Sequence, residues 1–273
     1  LFALAAIACG KRTVSTGRGL RIVSLSPAMT ETLFAIQAGS FLVGRSKQCN
    51  YPPAALEIPA VSDFSEPNLE AILAQMPTLV VGPMGPATTR LEAPLRERKI
   101  DTCFKSPESI KDIEGLFGDL GVRTKRSEDA DRMLRRCHES LQTTTDAVAS
   151  LPKARVAMLL STKPIYLAGP ASFPGDLVSL AGATHVANVP VPYPAVSIEQ
   201  LAGWDPDALI DATSMAGSSG VHAGLPGFGL LRAVREKRVI PMSDDRVLRP
   251  GPRFAEGLRV LAHALHPSAL KSP

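Results

Sequence analysis

The chain has 273 residues, of which 45% are hydrophobic and 21% charged, so it can bury one large core or two of ordinary size. Its formal net charge is only +4, and no basic run is long enough to form a nucleic-acid-binding surface. These values are typical of a globular protein. They exclude a disordered chain and a protein whose main partner is a nucleic acid.

The first nine residues, Leu1 to Cys9, form an apolar segment that is shorter than the roughly 20 residues needed to cross a bilayer. We expect the sequence to begin inside a secretory signal. Small residues directly precede Cys9, as in bacterial lipoprotein signals, in which the cysteine is lipidated. The alternative is an ordinary secretory signal with an incidental cysteine. Both alternatives predict an exported protein, and residues 1–18 are assigned to a signal remnant and tether.

Residues 19–124 alternate between short apolar runs and helical patterns, which predicts a first β/α lobe. A strand is predicted at Arg21–Leu25, and Ser26-Pro27 then begins a helix that Gly39 ends. Strands that alternate with helices indicate a mainly parallel sheet covered on both faces. The other predicted elements are strands at 41–44, 60–62, 79–81 and 102–104 and helices after 68 and over 89–98 and 110–120.

Residues 125–152 are predicted to form a connecting helix. From Ser127 to Ser150 the sequence contains neither Gly nor Pro, and its apolar residues form one broken stripe. A helix of that length spans about 36 Å, which is enough to reach from one lobe to another. The alternative is a long helix that lies within a single domain.

Residues 153–273 repeat the alternation and predict a second β/α lobe. The predicted strands are 155–160, 165–168, 185–187, 208–210 and 239–242, the predicted helices are 173–181, 231–237 and 254–265, and 243–252 is predicted to be a loop.

One pattern occurs in both lobes: a helix-capping residue, an aliphatic residue, a glutamate, one short helix, and a proline that ends it before an apolar strand. Its residues are Asn68, Glu70 and Pro77 in the first lobe and Ser197, Glu199 and Pro206 in the second. The two copies are too far apart for a solenoid, whose repeats are about 20–50 residues long. The pattern instead predicts two related lobes.

Catalytic and metal-binding motifs are lacking in the sequence. Cys49, Cys103 and Cys137 match no zinc-site spacing, and we expect thiols, with a single disulfide as the alternative. The five histidines are scattered, so no metal site is predicted. Because the sequence has no nucleophile elbow and no Walker loop, we expect a protein that is not an enzyme and carries no resident cofactor.

Several stretches, taken together in their order, resemble the substrate-binding proteins of ATP-driven importers that have a helical backbone between their lobes, specifically the vitamin B12 (cobalamin) group. The matching stretches are Arg21–Glu31, Tyr51–Pro53, Val61–Phe64, Asn68–Val81, Val191–Glu199 and Pro250–Arg253. The resemblance runs from about residue 20 to the end of the chain. It implies an α/β fold of two β/α lobes with mainly parallel sheets, joined by one long rigid helix.

The resemblance also implies that a corrinoid is held in the cleft between the lobes. The residues implied at this site are Tyr51, Phe64, Pro83, Tyr166, Tyr193, Asp244 and Arg249. Aromatic walls with a few placed polar groups suit a large, mostly flat ligand. Each aromatic residue has an alternative role as a ring packed beside a neighbouring proline, and Arg246 or Arg253 could take the place of Arg249.

In similar proteins the glutamate of each repeated pattern, here Glu70 and Glu199, pairs with arginines of the membrane permease. One exposed carboxylate on each lobe would give a two-point contact that fixes the orientation of docking. The alternative for each glutamate is an acid that complements the dipole at a helix N-terminus. The expected partners are therefore a corrinoid and the permease of an ABC importer, with a monomeric protein in the periplasm or anchored outside the cytoplasm by a lipid.

Other ligands and roles remain alternatives. Haem would require an axial Tyr or His in the cleft, for which Tyr166 or Tyr193 could serve. A ferric siderophore would require clustered arginines. A two-lobed enzyme is a more remote alternative.

Overall fold

Two β-sheets form the framework of the computed structural model, which describes residues 19–63, 66–216 and 220–268. The first sheet has five parallel strands in the order β3-β2-β1-β4-β5. The strands are β1 Ile22–Ser24, β2 Leu42–Ser46, β3 Ala60–Ser62, β4 Leu79–Gly82 and β5 Asp101–Phe104. The strand order reverses between β1 and β4, which is where sheets of this kind leave a crevice at their carboxyl edge.

Four helices cover this sheet and complete the N-terminal lobe. They are α1 Pro27–Ala35, α2 Leu69–Ala74, α3 Pro86–Glu97 and α4 Ile110–Thr124. Helix α1 begins as the sequence predicts, because the Ser26 side chain accepts a hydrogen bond from the Met29 amide and Pro27 lies at the first helical position. The expectation of a parallel β/α unit is confirmed here in full.

Helix α5, Ser127–Val148, is 22 residues long and spans about 33 Å. It packs against α4 of the N-terminal lobe and against the last helix of the chain, so it connects the two halves. At the α4–α5 turn Lys125 is left-handed, and the Arg126 amide donates to the Gly121 carbonyl over 2.7 Å. A Cβ atom at Gly121 would lie 3.0 Å from Ala130, so glycine permits this close packing.

The second sheet, with helices α6 to α10, forms the C-terminal lobe. Its strands have the order β11-β10-β6-β7-β9, and β8 pairs with β6. The strands are β6 Arg155–Thr162, β7 Ile165–Leu167, β8 Thr184–His185, β9 Ala195–Val196, β10 Ala208–Asp211 and β11 Val239–Pro241. The helices are α6 Phe173–Leu180, α7 Ile198–Trp204, α8 Arg232–Arg235, α9 Asp245–Leu248 and α10 Phe254–Leu265. Strand β7 runs antiparallel to β6 and β9, whereas the other pairs are parallel.

The segment 243–252, predicted to be a loop, contains the single turn of helix α9. Asp244 caps this turn by accepting a hydrogen bond from the Arg246 amide over 2.9 Å. The turn has no apolar periodicity of its own, and it is held by packing against α6 and α10. Tertiary contacts therefore decide its conformation.

The repeated pattern forms the same structure in both lobes. Asn68 and Ser197 cap α2 and α7 as predicted, each accepting a hydrogen bond from the amide three residues later. Both helices are followed by a residue with left-handed backbone directly before the proline: Met76 has φ 49° and Asp205 has φ 44°. The two copies therefore enter their following strands by the same turn.

The largest buried cluster runs through both lobes. It contains Ile22 and Val81 from the first sheet, Val156 and Ile210 from the second, and Cys137 of α5 between them. Cys49, Cys103 and Cys137 are buried free thiols in the described part of the chain, and burial raises the pKa of Cys137 to about 12. None of the helices within the described ranges is both long and apolar enough to cross a membrane.

Candidate ligand-binding cleft

A cavity of about 340 Å³ lies between the two lobes. Its walls come from the start of α1 (residues 26–29), Pro83 after β4, residues 105–108 after β5, Tyr193 before β9, and four residues after β11, namely Asp245, Leu248, Arg249 and Pro250. The β1 and β4 loops lie on either side of the point where the strand order reverses. The cavity is therefore where open α/β sheets place their ligands.

The lining is mostly apolar with a few charged groups. Prolines contribute much of the apolar wall, and Met29, Leu116 and Leu248 add to it. The lining prolines are Pro27, Pro83, Pro107 and Pro250. The charged groups are Lys105, Glu108, Asp245 and Arg249. This composition suits a ligand with a broad apolar surface and polar substituents at its edge.

Arg249 lines the cavity and is held from two sides. Its guanidinium contacts Glu31 of the N-terminal lobe over 2.5 Å and Asp245 of the C-terminal lobe over 2.8 Å. It also donates to the side-chain oxygen of Asn50 over 3.2 Å. Of the three arginines considered from the sequence, Arg249 is the one that lines the cavity.

Arg253 lies beneath Tyr51 rather than in the cavity wall. Its guanidinium carbon is 4.0 Å from the centre of the Tyr51 ring, and it donates two hydrogen bonds to Glu31 over 2.7 and 3.0 Å. Burial alone would lower the pKa of Arg253, but the hydrogen bond and charge of Glu31 outweigh it and raise that pKa. We call the group of Glu31, Arg249 and Arg253 the base contact.

Tyr193 lines the cavity and reaches across it. Its hydroxyl donates to the Glu108 carboxylate of the N-terminal lobe over 2.6 Å, and we call this pair the rim contact. Burial, together with the hydrogen bond to Glu108, raises the pKa of Tyr193. Tyr193 remains 39% exposed.

Asp244 lies one residue outside the cavity lining. It caps α9 and accepts hydrogen bonds from the Arg246 guanidinium, which hold its pKa below the usual value. Its carboxylate therefore holds the turn that carries Asp245 and Arg249. Arg246 is occupied by this contact.

The remaining predicted site residues are more distant or undescribed. Tyr166 lies on β7, is 40% exposed, and does not belong to the lining of this cavity. Phe64 and Cys9 lie outside the described residues.

Glu70 and Glu199 are both exposed in the first turn of α2 and α7. Helix α2 leads into β4, which is parallel to β1, and α7 leads into β10, which is parallel to β6. A helix that runs back before such a strand begins at the carboxyl edge of the sheet. In the first sheet the cavity lies at this same edge, beside residues that follow β1, β4 and β5. Hydrogen bonds, first from the Ser197 side chain and then from the helix N-terminal backbone, lower the pKa of Glu199.

Sequence reasoning missed Glu31 and Glu108. Glu31 carried a signal, because an acid among the apolar residues of a predicted helix is expected to find a partner when buried. Glu108 carried none, since its partner Tyr193 is 85 residues away in sequence. Both residues gain their partners only when the lobes meet.

Comparison with known proteins agrees with this architecture. A family model described as a periplasmic binding protein matches residues 22–245. The vitamin B12-binding protein of Salmonella paratyphi A is 30% identical over 247 residues, which cover 90% of each chain.

Two solved structures are also similar. The periplasmic vitamin B12-binding protein of Vibrio cholerae is 28% identical with a TM-score of 0.74, over 90% of this chain and 96% of that one. A possible iron-binding, periplasmic solute-binding protein from Staphylococcus epidermidis is 25% identical with a TM-score of 0.78, over 90% of this chain and 98% of that one. Because the family model matches well over half of the chain, this chain belongs to the periplasmic binding protein family.

Proposed function

We propose that this protein captures a corrinoid of the vitamin B12 class outside the cytoplasm and delivers it to an ABC importer. The observation that carries the proposal is the cavity between the two lobes, at the carboxyl edge of the first sheet, in a chain 30% identical to a vitamin B12-binding protein over 90% of its length. The protein acts by binding and release, without chemical conversion of the ligand.

The cavity suits part of a corrinoid. Its volume of about 340 Å³ is near the lower end of the range for drug-sized ligands, about 300–1,000 Å³. A corrinoid is larger, so one edge of its ring would enter the cavity while the rest extends past Tyr193. The apolar walls would contact the ring, and Arg249 would donate to oxygen atoms of its amide side chains.

Calorimetry with cyanocobalamin, cobinamide, haem and a ferric hydroxamate tests the ligand class. We expect cyanocobalamin to bind most tightly and Arg249→Ala to weaken its binding at least about tenfold. Asp101→Asn is the matched control, because Asp101 pairs with Arg123 within the N-terminal lobe at the amino end of β5. If haem or the ferric hydroxamate binds more tightly than cyanocobalamin, the transported ligand belongs to the second class, haem and siderophores. The similarity to a possible iron-binding protein favours this second class.

Glu70 and Glu199 would dock the loaded protein on the permease. Both are exposed, one on each lobe, in the first turn of α2 and of α7. Matched carboxylates on two lobes would fix the orientation of docking through arginines of the partner. The protein would act as a monomer, because one chain supplies both contacts, and lipidation of Cys9 would anchor it to the membrane.

Reversing both charges, as Glu70→Lys with Glu199→Lys, should abolish vitamin uptake while the affinity for cyanocobalamin stays unchanged. The control reverses two other exposed glutamates, Glu92 on α3 and Glu139 on α5. Equal loss of uptake in both double variants would contradict the docking role. Mass spectrometry of the membrane fraction tests lipidation of Cys9.

A further inference from the structure

Glu31 is a carboxylate buried in the middle of α1, and its side chain is only 2% exposed. Burying a charged group is costly unless the group is paired and hydrogen-bonded. Both partners of Glu31 come from the other lobe: Arg249 lies 218 residues away in sequence and Arg253 lies 222 residues away. One carboxylate of the N-terminal lobe therefore accepts hydrogen bonds from two arginines of the C-terminal lobe.

Arg249 and Arg253 lie in different surroundings. Arg249 lines the cavity, where it can donate to a ligand. Arg253 lies between Glu31 and the ring of Tyr51, so that two groups of the N-terminal lobe hold it. Glu31 itself does not line the cavity. It therefore reaches the ligand only through the residues it holds.

We propose that Glu31 is a positioning residue for ligand binding. It fixes the direction in which Arg249 faces the cavity, and its contact with Arg253 holds the carboxylate itself in place against the other lobe. A guanidinium has its donors in a rigid fork, so its orientation decides which acceptor on a ligand it can reach. This inference rests on the proposed function, because it requires that Arg249 meet the transported ligand.

A double-mutant cycle tests the inference. Glu31→Gln keeps the shape of the side chain but removes its charge and turns one acceptor into a donor. We expect it to weaken cyanocobalamin binding at least about tenfold in the wild-type background but less than about twofold in the Arg249→Ala background. A merely structural role would weaken binding by the same factor in both backgrounds, which would overturn the inference. Unchanged binding in Glu31→Gln would also overturn it.

Two further variants sharpen the cycle. Glu31→Asp keeps the charge and should recover part of the lost affinity, whereas Asp101→Asn, which breaks a carboxylate–arginine contact within one lobe, should bind as wild type does. Loss of affinity in Asp101→Asn equal to that in Glu31→Gln would point to general destabilisation and count against the positioning role.

Hydrogen exchange without ligand separates the inference from the proposed function. Glu31→Gln should raise exchange at α9 and in the segment around Tyr51, and Asp101→Asn should not. If wild type binds none of the four ligands, the proposed function fails while this measurement still tests how Glu31 holds the lobes. Unchanged exchange in Glu31→Gln would then overturn the inference.

Discussion

The base contact and the rim contact both join a glutamate of the N-terminal lobe to a donor of the C-terminal lobe, but their surroundings differ. At the base, Glu31 is 2% exposed, and Arg249 and Arg253 are 16% and 17% exposed. At the rim, Tyr193 is 39% exposed and offers Glu108 a single neutral donor. Removing one partner lowers the free energy of unfolding much more when the contact is shielded from water than when it is exposed.

From this difference we expect the two contacts to have different roles. The base contact is too costly to break during each binding event, so it would hold the lobes at a fixed separation. The rim contact has a single neutral donor that is partly exposed to water, so we expect it to break more easily than the base contact. Substitutions at the two contacts should therefore differ in their effect on stability.

Removing the carboxylate at the base should have the largest effect. Glu31→Ala leaves two arginines without their shared partner, and we expect the free energy of unfolding to fall by about 3–5 kcal/mol. Urea denaturation measures the change. A loss below about 1 kcal/mol would show that water or the remaining contacts of Arg249 compensate, and the contrast with the rim would fail.

Replacing the arginine under Tyr51 should have an intermediate effect. Lysine in Arg253→Lys keeps the charge but loses the planar fork that gives Glu31 two hydrogen bonds, so we expect a loss of about 1.5–3 kcal/mol. Thermal and urea unfolding check this value. Stability equal to wild type would show that charge alone, without the fork, is enough at this site.

Tyr193→Phe removes the rim hydrogen bond but keeps the ring. We expect the free energy of unfolding to fall by only about 0.5–1.5 kcal/mol. Absorbance titration at 295 nm gives a second readout. Wild type should show one ionising phenol more than the variant. This phenol should ionise well above the ordinary tyrosine pKa of about 10, because burial and Glu108 raise the pKa of Tyr193.

The raised pKa of Tyr193 fixes the direction of the pH effect. The stability contributed by this phenol is fully present below pH about 10 and is lost as the pH rises through the higher pKa of the folded state. Wild type should therefore lose stability faster than Tyr193→Phe in strong alkali. Identical pH profiles for the two proteins would contradict the rim contact.

The smallest effect is expected for Glu108→Gln. The amide oxygen still accepts a hydrogen bond from the Tyr193 hydroxyl, so we expect a change in unfolding free energy within about 0.5 kcal/mol. Paired urea denaturation of wild type and variant measures it. A loss as large as that of Glu31→Ala would place the rim and the base in the same class.

Much of the fold was predictable from local patterns. The caps Asn68 and Ser197, the alternation of strands with helices, and the long α5 helix follow from residues close together in sequence. The turn of α9 was not predictable, because one turn of helix has no periodicity and depends on packing against α6 and α10. The antiparallel placement of β7 likewise depends on the partners available in space.

The site divides in the same way. Pro83, Tyr193 and Arg249 lie in the cavity wall, at ends of elements that the sequence indicates. Tyr166 lies elsewhere on β7, although its sequence pattern resembles that of a cleft residue. The roles of Glu31 and Glu108 depend on partners in the other lobe, which local sequence patterns do not indicate.

The sequence by itself determined two similar β/α lobes, a long helix between them and a matched glutamate on each, because caps, prolines and periodicity act over a few residues. Only the tertiary structure decided which carboxylate meets which arginine across the cleft. Those pairs are more than 200 residues apart in sequence, and their contact depends on how α5 and α10 bring the lobes together. Burial then distinguishes the contact of Glu31, which is shielded from water, from that of Tyr193, which is partly exposed.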